Sequence, residues 1–504
     1  MVVWWLAWAY LLDLAQAFCP PGCSCDDAAP SASCVGMGLN VVPILFNPGL
    51  CRLNLAHNSI SSIDEAFVFL DKLQELDLSH NLLISVRTGN FKMQSGLLEL
   101  RLAHNNITSF TSGAFRGLVA LRTLDLNHNS LPDLPVGVLD DLPQLTVLHL
   151  AHNRLHILTQ RTFRGLRGLL LLDLCDNYFR HVPTTAFEDL TSLQTLHLCR
   201  NRLTRLDPLA FPTDTLTSLT LDTNNIDSLD KRAFLRLQQL QELRLDCNTL
   251  HEVPTEALSL LVTLEFLSLS RNKIKTIGPN AFRGLGRLST LEISRSPHLE
   301  SVHPEALDGC RGLQTLTISN NPLLRHLPAG LLTSLHSLRS VDLRANGLQS
   351  FPEAEVPWSS LRKMDLRDNP LVCNCSLQWL AELLGSSNTS LAAPDLQCAA
   401  PDKLQGLYLS RLVPSEQLCG ERVQVLVGLV VITASTVLIL TLSLLLCRYW
   451  RRQQRAKLGS GWPPDPLGAP WPPQGRPLPN RHIMAEEYVY HTPASITKVP
   501  VTKV

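Results

Sequence analysis

The stretch LRTLDLNHNSL, Leu121 to Leu131, decides the fold. Its apolar residues fall at Leu121, Leu124, Leu126 and Leu131, and an Asn stands at 129, a pattern written LxxLxLxxNxL. Side chains alternate along a strand, so Leu124 and Leu126 point one way while Thr123 and Asp125 point the other. So short a strand cannot build a core alone. Reading outward, the same pattern returns every 23 to 25 residues between Leu50 and Leu371, with Asn at 58, 81, 105, 129, 153, 177, 201, 224, 248, 272, 321, 346 and 369. Such a period marks a stacked-repeat architecture, in which each unit buries its apolar side against the next. Strands side by side, about 4.8 Å apart, would bury a continuous leucine core. The Asn side chain, turned inward, would bond backbone groups of the loop leaving the strand, which burial would otherwise orphan. A second column, Phe67, Phe91, Phe115, Phe163, Phe187, Phe211, Phe234 and Phe282, recurs at the same spacing and predicts an aromatic spine on the opposite wall. The expected fold is an α/β solenoid, a curved horseshoe of about fourteen repeats over 50–369 with a parallel sheet on its concave side. The eleventh unit is irregular: Ser296 takes the Asn position and the next apolar residue comes one place late, which predicts a bend or altered register near 294 to 300.

Outside the repeats the apolar content is concentrated near both ends. Residues 1–17 carry an apolar run from Val2 to Leu12 and finish in Ala15-Gln16-Ala17, the small-x-small pattern of a cleavable signal peptide, although no Lys or Arg precedes the run. Residues 423–447 are uncharged and rich in Val, Leu and Ile, enough for one transmembrane helix. Arg448, Arg451, Arg452, Arg455 and Lys457 follow at once, a bias that places the C-terminal side in the cytosol. The expectation is a single-pass type I protein of the plasma membrane, N-terminus extracellular. With 44 Lys+Arg against 44 Asp+Glu, the chain lacks the broad positive field of a nucleic-acid binder, so no nucleic-acid partner is expected.

Cysteines flank the repeats: Cys19, Cys23, Cys25 and Cys34 before them, and Cys373, Cys375, Cys398 and Cys419 after, the first two of these in NPLVCNCSLQWL. An open solenoid exposes its core at each end, and oxidised lids suit a secreted compartment. With these flanks, the repeats resemble the extracellular leucine-rich-repeat superfamily, in its type I transmembrane branch with cysteine-rich caps. The chain is similar there to neuronal leucine-rich-repeat transmembrane proteins and to platelet glycoprotein receptors. The resemblance implies an N-terminal cap over 18–49, a C-terminal cap over 370–422, and the pairs Cys19–Cys25, Cys23–Cys34, Cys373–Cys398 and Cys375–Cys419. Sequons at Asn106, Asn374 and Asn388 lie on the expected extracellular side.

In this architecture the variable strand positions build the concave face. Candidate ligand-binding residues are Glu75, Asp77, Arg101, Asp125, Glu242, Arg244 and Asp246, with Asp342/Arg344 and Lys363/Asp365/Arg367 further along. Mixed charge on a preformed concavity suits a folded protein ligand. The alternative is a solvated face with binding on the convex side or a cap. His57, His80, His104, His128 and His152 each precede a repeat Asn and predict a histidine row. That row reads either as a family habit or as an acid-sensitive surface, because stacked imidazoles resist joint protonation. His149, Asp173 and His197 share one strand position, and Cys175 and Cys199 another. Strand spacing permits a Cys175–Cys199 disulfide; free thiols and a zinc-type site are the other readings. Cys51, Cys247 and Cys310 have no evident partner.

Residues 448–504 form an expected disordered cytoplasmic tail, with PxxP spacings at Pro463/Pro466 and Pro470/Pro473, Tyr488 and Tyr490 after Glu486 and Glu487, and Cys447 at the membrane edge as an S-acylation candidate. Thr502-Lys503-Val504 match the Ser/Thr-x-apolar termini that PDZ domains capture, so Thr502 and Val504 are the expected scaffold-binding residues. No nucleophile, base and orienter set, phosphate loop or metalloprotease motif interrupts the repeats, so neither catalysis nor a cofactor is expected. The sequence therefore predicts an adhesion or recognition receptor for an extracellular or membrane protein, with an auxiliary subunit of another membrane protein as the rival reading.

Overall fold

Each LxL segment is too short to persist unless its neighbours complete its hydrogen bonds, and stacking supplies them. In the computed structural model, which describes residues 19–351, 353, 360–385, 395–412, 418 and 420–457, these segments form one sheet of sixteen strands. It runs from Ser24–Asp26 to Lys363–Asp365. The first pair, Ser24–Asp26 with Ser31–Ser33, is antiparallel. From Ser31–Ser33 onward every pairing is parallel, with the core leucine of one strand opposite that of the next, as Leu124 is opposite Leu100 and Leu148. The inward leucines are sealed: Leu124, Leu126, Leu148 and Leu150 are all 0% exposed. Burying each contributes roughly 1.5–3 kcal/mol. On the opposite wall the phenylalanines stack, with ring centroids 6.1 Å apart for Phe67–Phe91, 6.4 Å for Phe163–Phe187 and 6.2 Å for Phe211–Phe234.

Covalent lids close both ends. Cys19–Cys25 and Cys23–Cys34 are joined around the first two strands, with Cys34 fully buried in the core. At the far end Cys373 is joined to Cys398, and the Gln378–Gly385 helix buries Leu380 and Ala381. Cys375 is also disulfide-bonded, while Cys419 lies outside the described residues. The helix Gly420–Lys457 carries a span, Leu426–Gln454, long and apolar enough to cross a membrane, and that span belongs to a separate unit beginning at Val425. The expected signal peptide, 1–17, and the expected tail beyond residue 457 lie outside the described residues.

An asparagine ladder satisfies the backbone beneath the sheet edge. Asn129 shows the unit: its Nδ2 donates to the carbonyls of Leu102, Leu126 and Asn127 at 3.0, 3.1 and 3.2 Å, while its Oδ1 accepts from the Ile107 N–H at 2.9 Å. One buried amide thus pairs groups of two successive repeats. At the eleventh unit the ladder breaks. Ser296 is fully buried, its hydroxyl has no hydrogen-bond partner, and its own N–H turns to Asn321 Oδ1 at 2.9 Å. The expected change of register does not reach the sheet, because Thr290–Glu292 keeps its pairing with Phe266–Ser268 on one side and Thr315–Thr317 on the other. The extra residue is absorbed in the loop, where Asn321 N–H likewise moves to Asn346 Oδ1. The strands hold because their leucines, not the loop, set the register.

The residue before each ladder Asn is left-handed, with φ of 53° to 56° from His57 to His152. His belongs to the few side chains enriched in that conformation. Stacking brings the five imidazoles into one column, with successive centroids 4.0, 4.1, 4.0 and 3.9 Å apart. His152 ends the column against Asp176, Nε2 to Oδ2 3.3 Å. Burial first, then the neighbouring imidazoles, hold His80, His104 and His128 below the ordinary histidine range, with Asp77, Asp125 and Asp176 opposing.

Two expectations follow from these contacts. Asn153→Ala orphans the Leu131 N–H and leaves the Leu126 carbonyl with Asn129 Nδ2 alone; it should cost about 1–3 kcal/mol, read as lost hydrogen-exchange protection at Leu131. Ser296→Ala removes an already unpaired hydroxyl and should be near neutral; equal costs for the two would refute the ladder as the controlling element. Because the folded-state values of His80, His104 and His128 are depressed, the folded protein takes up protons less readily than the unfolded chain. Stability is then greatest above an unfolded value of about 6.5 and falls as pH drops below it. Replacing all three by Asn, which tolerates the left-handed backbone, should shrink the loss of Tm between about pH 7.5 and 5; an unchanged loss would assign the acid sensitivity elsewhere.

Candidate ligand-binding face

The strand residues flanking each core leucine face away from it, onto the concave surface. At the N-terminal end they surround a hollow of about 300 Å³, lined in part by Asp26, Asn54, Glu75, Asp77, Glu99 and Arg101. Arg101 spans it, with Nη2 2.6 Å from Glu99 Oε1 and Nη1 3.7 Å from Asp77 Oδ2. Asp77 is held in turn by the Ser79 N–H and hydroxyl at 2.9 and 2.6 Å, and Asp125 on a nearby strand accepts from the Asn127 N–H at 3.0 Å. Of the predicted residues, Glu75, Asp77, Arg101 and Asp125 therefore lie close together.

Glu242, Arg244 and Asp246 form a second group. Four strands separate them from Asp125, roughly 24 Å across the sheet. Arg244 Nε lies 2.7 Å from Glu242 Oε1, and its guanidinium lies 4.5 Å above the Phe266 ring. Asp246 accepts from the Ser268 hydroxyl and from the Ser270 N–H at 3.0 Å. Burial, aided by the Asp222 carboxylate and opposed by those bonds, pushes Asp246 above the usual carboxylate range. Further along, Arg344 pairs with Asp342 at 3.1 Å and Arg367 with Asp365 at 2.7 Å. Arg101, Arg244, Arg344 and Arg367 are thus engaged by carboxylates of their own surface, which fixes their guanidiniums.

Between the groups lies chemistry of another kind. Val147 and Leu171 are half-buried on the face, and Leu170 is 38% exposed beside them. The charge pattern drew attention away from these residues and from Phe266, although an apolar side chain at a variable strand position is a usable signal. His149 Nδ1 stands 3.9 Å from Asp173 Oδ2, and that carboxylate raises the His149 pKa against the burial that lowers it. Burial alone would raise Asp173, but His149 and the Cys175 N–H outweigh it and hold the carboxyl low. His197 Nδ1 turns instead to the Thr220 hydroxyl at 2.8 Å. Cys175 and Cys199, with Cα atoms 4.6 Å apart, are disulfide-bonded across adjacent strands, so neither sulfur is free to hold a metal. Among the described residues no group of three or more His, Cys, Asp or Glu side chains is placed for a metal ion.

Cys51, Cys247, Cys310 and Cys447 are free, and burial pushes the Cys310 thiol up to about 12. Asn106 is exposed. Asn374 is exposed too, its amide oxygen accepting from the Ser376 N–H and hydroxyl at 2.9 and 2.6 Å. Asn388, Thr502 and Val504 lie outside the described residues.

Comparison with known proteins places this geometry. Over 150 residues the chain is 31% identical to Tsukushi of Xenopus tropicalis, covering 22% of this chain and 43% of that protein. Over 94 residues it is 39% identical to human lumican, covering 18% and 28%. The chain thus spans less than half the length of these curated relatives. The solved TLR13–ssRNA13 complex superposes with a TM-score of 0.66 at 28% identity, over 70% of this chain and 52% of that one. A sequence profile described as Leucine rich repeat matches residues 40–83, 71–131, 123–174, 169–213, 214–274, 263–323 and 312–371. These matches run unbroken from residue 40 to 371, more than half of the chain, and the chain belongs to the leucine-rich-repeat family.

Proposed function

We propose that the protein is a single-pass type I receptor of the plasma membrane that binds a folded protein ligand through its concave sheet and recruits a PDZ-type cytosolic scaffold through its tail. One observation carries the ligand reading: an apolar centre of Val147, Leu170 and Leu171 lies between two groups of mutually paired charges. A desolvated core inside a polar rim is the anatomy of a protein interface, and charges already held in place lose little entropy on binding. The basic run Arg448 to Lys457 after the uncharged stretch 423–447 supports a cytosolic C-terminal side. Thr502 and Val504 support scaffold recruitment: with a free carboxylate on Val504, that segment can add to a sheet edge while Val504 fills an apolar pocket.

Proximity labelling on living cells, followed by direct binding to the full-length protein, tests the ligand reading. Val147→Asp with Leu171→Asp should lower capture of the labelled ligand at least tenfold, about 1.4 kcal/mol, with surface delivery unchanged. Unchanged capture would remove the concave centre from the interface. Labelling confined to a channel or receptor in the same membrane would favour an auxiliary subunit. For the tail, a peptide covering Ser495 to Val504 should pull down a PDZ scaffold, and both its amidated form and its Val504→Asp form should fail. Equal recovery by all three would end the terminal-anchor reading.

A further inference from the structure

A second surface differs from the concave face in both charge and pairing. It lies on the flank where the chain leaves the sheet, in the repeats of Asn153, Asn177 and Asn201. Equivalent positions there carry Arg154, Tyr178 and Arg202 just after the ladder Asn, then His156 and Arg180 two places on, then His181 and Arg205. Backbone bonds hold the rows in register: Tyr178 N–H donates to Leu155 O at 2.7 Å, and Arg202 N–H to Phe179 O at 2.9 Å. All seven side chains are exposed. The Arg202 guanidinium lies 4.3 Å over the Tyr178 ring, which fixes its plane without consuming its donors.

Pairing separates this flank from most of the concave arginines. Arg101, Arg244, Arg344 and Arg367 on the concave side are each engaged by a carboxylate. Among the described residues no carboxylate oxygen lies within 4 Å of Arg154, Arg180 or Arg202; the acids nearby serve Arg200, through Asp176 at 3.9 Å, and Arg205, through Asp207 at 3.0 Å. The surface is bounded, because Asp133 in the repeat before and Asp227 in the repeat after stand where this stretch carries cations. Three unpaired guanidiniums in successive rows, about 4.8 Å apart per row, suit a linear chain of bidentate oxyanions.

We propose that this flank binds a linear sulfated polysaccharide, with Arg154, Arg180 and Arg202 as the sulfate-binding groups and Tyr178 as the residue that orients Arg202. The other polyanion class, single-stranded nucleic acid, relies on open aromatic faces for base stacking. Here the Tyr178 ring is covered by Arg202. A folded protein partner would need buried anchors, whereas this flank is dominated by charged tips. The disulfides of the ectodomain fit an oxidising compartment, where sulfated glycans reside. The assignment is independent of the concave-face reading.

The test uses the full-length protein in nanodiscs over immobilised heparin, with soluble heparin, fully desulfated heparin and polyuridylate as competitors. Heparin should bind in a salt-sensitive manner. Arg154→Gln/Arg180→Gln/Arg202→Gln should weaken it at least tenfold, the corresponding triple Lys variant should recover part of the affinity, and Arg283→Gln/Arg287→Gln, on exposed positions of a distant turn, should change it less than twofold. Matching melting temperatures confirm that the exposed substitutions leave the fold intact. Undiminished binding by the triple Gln variant, equal competition by desulfated heparin, or stronger competition by polyuridylate than by heparin would each overturn the proposal.

Discussion

The structure depends on the pairing of buried backbone groups at the point where each strand ends. A repeat that turns sharply under its own sheet buries carbonyls and N–H groups that no neighbouring strand can reach. The inward Asn amide resolves this because it has two donors and an acceptor on one short side chain, and stacking places it against the preceding repeat as well as its own. Asn153, for example, donates to Leu126 O in one repeat and Leu150 O in the next while accepting from Leu131 N–H. The leucine core supplies most of the free energy, but the ladder ties one turn to the next. Ser296 shows what happens without it: the hydroxyl is too short to reach, and the surrounding loop donates to the following Asn instead.

Because leucines and asparagines occupy the inside, the outward positions are released from folding and free to carry chemistry. The residue preceding the ladder Asn illustrates this freedom. It is His in five successive repeats, then Asp176, Arg200, Thr223, Cys247 and Arg271, all with positive φ. The backbone constrains the conformation there and leaves the side chain open. Stacking then converts a sequence choice repeated at 23 to 25 residues into a continuous column, an imidazole stack in the first half and an ion pair of Asp176 with Arg200 beyond it. The same conversion makes a charged rim, an apolar centre and a cross-strand disulfide on one side of the solenoid, and a row of unpaired guanidiniums on its flank.

A sheet whose register is set by sealed leucines is a rigid presenter. Its polar groups are preorganised, with Arg101 and Arg244 each already bound to a carboxylate on the same face. On the proposed reading, recognition depends on shape and on the apolar centre around Leu170 and Leu171 rather than on net attraction, which a chain of zero formal charge does not provide.

The sequence by itself determined the repeat, its strands, the inward Leu, Asn and Phe columns and the apolar span, because each follows from a periodicity or a run that local geometry alone interprets. What passed between repeats was decided by the tertiary structure. Whether Cys175 and Cys199 were thiols, a metal site or a disulfide depended on a Cα separation of 4.6 Å created by stacking. The charged residues singled out from the sequence resolve into separate groups, because residues at equivalent positions approach one another only if their strands are adjacent. The irregularity at Ser296 was visible in the sequence, yet its containment in the loop was not. A sequence fixes which way a side chain points within its own repeat; which partner it meets, at what distance and with what charge, depends on packing between residues far apart in the chain.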